Sequence, residues 1–433
     1  MLWTRYERPV RNRAGCLVGC PASAVDRAIC GAAVIGAFAI VLVALAFFMP
    51  GVQVASVPIP FEYVLAIAYL ALYNPKIPQR YLTVFALAII YLTVVAAINA
   101  TSEAGSARDF LYALLFLGEL GLFCTFRDLF DRGYGDLVMT GMVWCGGFNL
   151  LLMVLQALNV AGIDQSLKGL WTAPLYVFAR GPDDLVHADV IQSRPYGLLP
   201  GFNIAGLALY LTFRGAYVYS RRSLYRLLCL FAVALATARM LVVLFLLYEV
   251  VLPLFNFRRD SRAARFSLVA MVLCTAGIAI TVMLNPSYFL VSFYDEITNQ
   301  GLETNYSITN RLETLNWALD NWVRIVTIGG VPSEEFRNFS RAVDSELILR
   351  SMQFGLAGFV LVVTMVYGYF HKYRSYDTYF LLAAMLWTSL TSSAASNFVL
   401  IPFLFVYGFA CRADAKSRRR PSALIARVAT SEA

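Results

Sequence analysis

Residues 307–322 read SITNRLETLNWALDNW, and they lie in a long polar stretch, Asn285–Arg341, of an otherwise apolar chain. Apolar residues recur in it at alternating spacings of four and three: Ile308, Leu312, Leu315, Leu319 and Trp322. That periodicity predicts an amphipathic helix. Beyond it, Asp344-Ser345-Glu346 leads directly into the apolar run Leu347–Phe370. Carboxylates and arginines gathered where a helix leaves lipid predict an interfacial active site; the competing interpretation is a solvated loop with ordinary surface charges.

The composition is that of a membrane protein. Of 433 residues, 59% are hydrophobic and 14% are charged, whereas soluble domains have roughly a quarter charged residues. Uncharged runs of about 20 residues, the length that crosses a bilayer, recur along the chain. The net charge of +8 does not indicate nucleic acid, because Lys and Arg cluster in short loops and at both ends, where they set topology. We therefore predict an all-α, polytopic membrane protein.

The apolar runs predict about twelve transmembrane helices. They are Ile29–Met49, Val52–Tyr73, Tyr81–Asn99, Phe110–Phe126, Leu137–Val160, Phe202–Tyr219, two within Ser223–Phe257, Phe266–Leu284, Leu347–Phe370, Tyr379–Leu390 and Phe398–Cys411. The run Ser223–Phe257 is too long for one helix and has arginine pairs at both ends, so it predicts a hairpin with Arg239 at its far turn.

The basic loops fall on one side of these spans, which predicts that both termini are cytoplasmic. The domain organisation is then a basic N-terminus (1–28), a transmembrane catalytic domain (29–411) and a basic tail (412–433). Two long loops, 161–200 and 285–343, lie on the outer face, which is periplasmic in a bacterium with two membranes. The second loop carries the amphipathic helix.

Charged residues inside spans are usually paired or functional. Glu119 lies in the middle of a predicted span, and either a structural hydrogen bond or a substrate role explains it. Glu62, Glu249 and Arg214 lie near span ends, and we expect them to extend to the membrane surface. The eight cysteines show no metal-ligand spacing and no disulfide framework.

Three arginines on the outer face, Arg194, Arg239 and Arg311, each lie beside a helix entry. A planar guanidinium binds phosphate through two parallel hydrogen bonds and stays charged, so this set suits an anionic ligand at the membrane surface. The alternative is that they anchor to lipid headgroups. His187 is the one histidine predicted on that face, and a lone loop histidine is more often incidental than catalytic.

These residues resemble the bacterial O-antigen polymerase and O-antigen ligase-like superfamily. The resemblance lies in Arg-Pro-x-Gly-Leu…Asn at Arg194–Asn203, in Thr237-Ala238-Arg239, and in Asn310-Arg311…Trp317…Gly329-Gly330. It continues in Asp344-Ser345-Glu346-Leu347…Gly355-Leu356-Ala357-Gly358. Ligases of this superfamily carry a His-Asn pair where this chain has Asp344-Ser345, so the resemblance favours a polymerase over a ligase.

The resemblance implies glycan transfer from an undecaprenyl-diphosphate donor on the outer face of the bacterial inner membrane, without a metal or other cofactor. Arg194, Arg239 and Arg311, with Asn203 and Arg341, are then expected to bind the diphosphate. Asp344 or Glu346 is expected to act as the base, with Glu119 and His187 as the next candidates. The expected partners are lipid-linked oligosaccharides, membrane lipids and a chain-length regulator of the co-polymerase type. The rival from another class is a lipid-linked oligosaccharide flippase, although no internal repeat of the transporter kind is visible.

Overall fold

The computed structural model describes residues 22–54, 57–73, 79–101, 107–158, 195–199, 202–236, 315–326, 354–357, 377–380 and 400–416, with single residues and pairs between them such as 245 and 248–249. This part of the chain is mostly helical. Three of its helices are long and apolar enough to cross a membrane: Gly31–Phe48, Ala107–Asp131 and Gly135–Ala157. The count of about twelve spans is not shown by these residues and stays a prediction.

The elements follow one another in chain order. They are α1 (Ala22–Phe48), β1 (Gly51–Val54), β2 (Val57–Pro60), α2 (Phe61–Tyr73), α3 (Gln79–Thr101), α4 (Ala107–Asp131), α5 (Gly135–Ala157), α6 (Phe202–Ser220), α7 (Ser223–Ala236) and α8 (Trp322–Val326). Residues 400–416 form a further helix, α9. Among these, α1, α3, α4, α5, α6, α7 and α9 occupy apolar runs that the sequence predicts to be helical.

Helix α6 is the centre of the described structure. Every side chain from residue 204 to residue 216 is buried, as expected of a helix that is apolar on all sides. Helices α5 and α7 pack against it, and α9 reaches it through the side chain of Tyr407. By contrast, α5 exposes Trp144, Phe148 and Leu151 on its outer side, which is the pattern of a helix that faces lipid.

The prediction of one continuous span over Val52–Tyr73 is wrong. Its first part is an antiparallel hairpin in which Val52 pairs with Ile59 and Val54 with Val57. Pro58 and Pro60 explain the difference, because proline lacks the N–H that a helix interior needs and holds the preceding residue extended. The β-branched side chains in the same segment also favour strand. Helix α2 therefore begins only at Phe61.

Helix α2 runs parallel to α4 and begins part of the way along it. Gly118 of α4 lies against the ring of Tyr63, Thr125 Oγ1 donates a hydrogen bond to the carbonyl of Ala66 over 3.3 Å, and Tyr69 donates one to Asp128 over 2.7 Å. Glu62, one residue before Tyr63, is 0% exposed. The expectation that Glu62 extends to the membrane surface is therefore wrong: the carboxyl lies inside the protein.

One end of the bundle, here named the basic end, is held by ion pairs between helix termini. Arg412 and Lys416 of α9 reach Asp131 at 2.6 and 3.4 Å, and Arg221 reaches Asp414 at 2.6 Å. Burial alone would lower the pKa of Arg221, but the hydrogen bond and charge of Asp414 raise it above its usual value. Because α5 starts at the basic end, Gln156 near its C-terminus lies at the opposite end.

Arg214 and Glu249 are also buried, at 4% and 8% exposure, which corrects the expectation that they extend to the membrane surface. Arg214 forms an ion pair with Glu249, and its Nη2 lies 3.2 Å from Asp377 Oδ1. Arg226 Nη2 lies 2.8 Å from the other carboxylate oxygen of Glu249. The physical reason is mutual neutralisation, because each charge meets an opposite charge from another part of the chain and can leave water.

Candidate functional site

The turn that follows Arg194 is fixed on the C-terminal part of helix α5. Gln156 Oε1 accepts hydrogen bonds from the backbone N–H groups of Tyr196 and Gly197, at 3.0 and 2.7 Å. Asn149 Oδ1 accepts one from the N–H of Leu198 at 2.6 Å. Three consecutive backbone donors are therefore held by two side chains of one helix.

Asn149 and Gln156 occupy the same face of α5, because seven residues make about two helical turns. Asn149 is 0% exposed, and a buried amide without a partner would cost about 1–3 kcal/mol. The turn supplies that partner through Leu198. Helix and turn thus satisfy each other's polar groups in the interior of the protein.

Gly197 is required at this turn for two reasons. Its φ is +65°, in the left-handed region that residues with a Cβ rarely adopt. A side chain there would also collide with the amide of Asn149. Proline fixes its own φ and glycine tolerates a positive φ, so Pro195 and Gly197 in the sequence predict a rigid turn leading into the next helix. The structure has this turn, here named the fixed turn, at Pro195–Leu199, two residues before α6 begins.

A second part of the candidate site joins the late apolar segment to helices α3 and α4. Tyr91 of α3 donates a hydrogen bond to the carbonyl oxygen of Phe354 at 2.8 Å. The rings of Phe354 and Phe116 of α4 have their centroids 6.4 Å apart. Phe354 is buried in a cluster with both helices. Residue 354 begins the Phe-Gly-Leu-Ala segment that follows Asp344 and Glu346 in the sequence.

Glu119 lies next to this second part. It is 6% exposed and follows Phe116 by three residues, so the two project from neighbouring positions of α4. The structure thus buries a carboxyl group one helical turn from the contact with Phe354. Burial is compatible with both roles that the sequence leaves open for Glu119, a structural hydrogen bond and a contact with substrate.

Most of the predicted site residues lie outside the described residues. These are Arg194, Arg239, Arg311, Arg341, Asp344, Glu346 and His187. Asn203 lies in the first turn of α6, four residues after Leu199. The structure therefore describes the turn after Arg194 and the contact of Phe354, which follows Glu346 in the sequence. The roles of the arginines and carboxylates themselves stay predictions.

Sequence reasoning missed Asn149 and Gln156. The signal was present, because they are the two polar residues in the part of α5 from Gly141 to Ala157, and a polar side chain in apolar surroundings needs a partner. What the sequence does not show is that this partner is the backbone of residues 196–198. In the described part of the chain no group of three His, Cys, Asp or Glu side chains could hold a metal ion.

The described residues define the class of protein: a helical membrane protein with several candidate spans. No protein-family model, no curated protein and no solved structure matches the chain.

Proposed function

We propose that the protein is a polysaccharide repeat-unit polymerase of the inner membrane, transferring glycan from an undecaprenyl-diphosphate-linked donor to a lipid-linked acceptor unit. The observation that carries the proposal is the fixed turn Pro195–Leu199. It anchors the residue next to Arg194 at the end of the bundle opposite the basic end. An arginine that must meet a diphosphate in one orientation needs such a rigid support.

The proposed orientation follows from charge. The basic end carries Arg132, Arg221, Arg412 and Lys416, and clusters of this kind favour the cytoplasmic side. The fixed turn is then periplasmic, and the full arrangement has about twelve spans with both termini inside. Lipid-linked oligosaccharides present their diphosphate at the membrane surface, where Arg194, Arg239 and Arg311 are predicted to lie.

In the proposed reaction, a hydroxyl of the acceptor sugar attacks the anomeric carbon of the donor. The bond to the lipid diphosphate breaks, and its electron pair leaves with the diphosphate. Arg194, Arg239 and Arg311, supported by Asn203 and Arg341, stabilise the negative charge that grows there. Asp344 or Glu346 accepts the proton of the attacking hydroxyl. A single displacement of this kind inverts the anomeric centre.

A flippase for lipid-linked oligosaccharides is the second candidate, and one observation favours it. The segment Gly51–Tyr73 is a hairpin followed by a short helix, with the buried Glu62 at their junction. Discontinuous elements and buried carboxyl groups at membrane depth are common in transporters. The polymerase is preferred because the sequence shows no internal repeat of the transporter kind, and because its predicted arginines cluster on one face instead of near the middle of the membrane.

The glycan profile of a deletion strain tests the proposal. A strain without its polymerase still makes single repeat units, attached to the lipid carrier or transferred to lipid A-core, but loses long chains. A ligase mutant loses all capping of lipid A-core, and a flippase mutant accumulates inward-facing lipid-linked units. Complementation with the unchanged gene serves as the control. Either of the last two profiles contradicts the polymerase.

A further inference from the structure

Residues 315–320 are also helical, and they continue into α8 through Asn321, whose N–H donates to the carbonyl of Trp317 and whose carbonyl accepts from Arg324 and Ile325. The resulting helical segment 315–326 presents an exposed apolar stripe. Its five members are between 44% and 60% exposed: Leu315, Leu319, Trp322, Val323 and Val326. With about 100° of rotation per residue, they fall within an arc of about 100° on one side of the helix. No charged residue interrupts that arc.

The rest of the helix surface divides into two further faces. Asn316, Asp320 and Arg324 are exposed and form a polar face next to the apolar stripe. Trp317, Asn321 and Ile325 are half-buried and form a third face. The Asn321 side chain donates a hydrogen bond to the carbonyl of Trp317 at 2.9 Å, within this third face. The protein therefore covers one face of the helix and leaves an apolar and a polar face exposed side by side.

We infer that the helix 315–326 lies flat on the outer leaflet of the membrane, with the apolar stripe in the lipid. An apolar face beside a polar face is what a helix in the plane of the interface requires. Trp322 lies in the stripe, and tryptophan is enriched where hydrocarbon meets headgroups. The same protein has helices of membrane length, so a bilayer is present along its side.

The placement deepens the proposed function, and its assignment to the outer leaflet rests on that proposal. Arg311 precedes Leu315 by four residues, which span at most about 14 Å of chain. A helix held in the interface therefore keeps Arg311 within reach of the headgroup level, where a lipid diphosphate lies. The helix would thus set the depth of Arg311 in the membrane, just as the fixed turn would set the orientation of Arg194.

Fluorescence quenching by brominated lipid tests this placement on the full-length protein in proteoliposomes. Leu319→Cys lies in the apolar stripe and Asp320→Cys in the polar face, one residue away. Each is labelled with an environment-sensitive fluorophore, and the signal of the identically treated unsubstituted protein is subtracted as background from its native cysteines. We expect strong quenching at position 319 and little at position 320.

Three outcomes contradict the inference. Equal quenching at both positions means that the helix does not lie in the membrane interface with its apolar stripe toward the lipid. No quenching at 319 with a blue-shifted label means that a protein surface, either a second copy or another partner, covers the stripe. No quenching with a water-like spectrum means that the stripe stays in water. A different result separates this inference from the proposed function. If position 319 is quenched but deletion of the gene leaves the glycan chains unchanged, the lipid contact of the helix stands and the proposed function is wrong.

Discussion

The phenol of Tyr91 donates a hydrogen bond to the backbone carbonyl of Phe354, joining two residues 263 positions apart. This contact connects helix α3 to the segment that follows the predicted carboxylates Asp344 and Glu346. Phe354 is 3% exposed, so the contact lies in the interior of the protein. The late part of the chain is thereby held against its first third.

Replacing Tyr91 with Phe should destabilise the protein by about 1 kcal/mol, because the ring stays and only the donor is lost. Thermal unfolding in detergent measures the change. Tyr379→Phe is the matched control, since Tyr379 is 51% exposed and should tolerate the change. Equal effects of the two substitutions would contradict the importance of the contact with Phe354.

Substitutions at Gln156 test whether the fixed turn positions Arg194, apart from any effect on folding. Gln156→Glu keeps an oxygen acceptor for the N–H groups of Tyr196 and Gly197, whereas Gln156→Leu removes it. We expect the Leu variant to fold and to lose roughly 10²-fold in polymerisation rate, because a shift of about 1 Å in a catalytic group can cost that much. The Glu variant should keep most of the rate. Similar rates for both variants would show that the turn does not position Arg194.

Glu62 should be replaceable by Met with a gain in stability. Neither carboxyl oxygen of Glu62 has a hydrogen-bond partner among the described residues, and an unsatisfied buried polar group costs about 1–3 kcal/mol. Met has a similar length and needs no partner. Thermal unfolding measures stability, and glycan chain length measures function. If Glu62→Met abolishes function in a folded protein, the carboxyl takes part in the activity and the flippase gains support.

Arg214 should be among the residues on which stability most depends. Removing one partner of a buried ion pair costs about 3–5 kcal/mol, because the remaining charge is left without compensation. Arg214→Gln should therefore destabilise strongly, and adding Asp377→Asn should restore part of the loss. A double-mutant cycle measures this coupling. Strictly additive effects would contradict a direct interaction between the two side chains.

The sequence predicts the helical class and seven of the described helices, because long apolar runs have few alternatives at membrane length. It did not predict the hairpin before α2, although Pro58 and Pro60 argue against a continuous helix there. The partners of Arg214 could not be predicted, since Glu249 and Asp377 come from separate segments and only folding brings them together. For the same reason Asn149 was missed, while the turn at Gly197 beside it was predicted.

Polymerisation by the purified protein tests the central claim most directly. Unchanged protein, lipid-diphosphate-linked repeat units and excess chelator should give a ladder of chains, because in the proposed mechanism arginines take the place that a metal has in other glycosyltransferases. Arg194→Ala should reduce the rate by about 10²–10³ and weaken donor binding, and Arg194→Lys should restore little of either, since an ammonium lacks the guanidinium fork. Asp344→Asn or Glu346→Gln should slow the reaction by roughly 10²–10⁴ with donor binding intact. A protein that binds the donor and yields no chains, or an Arg194→Ala variant that polymerises at the unchanged rate, would contradict the account.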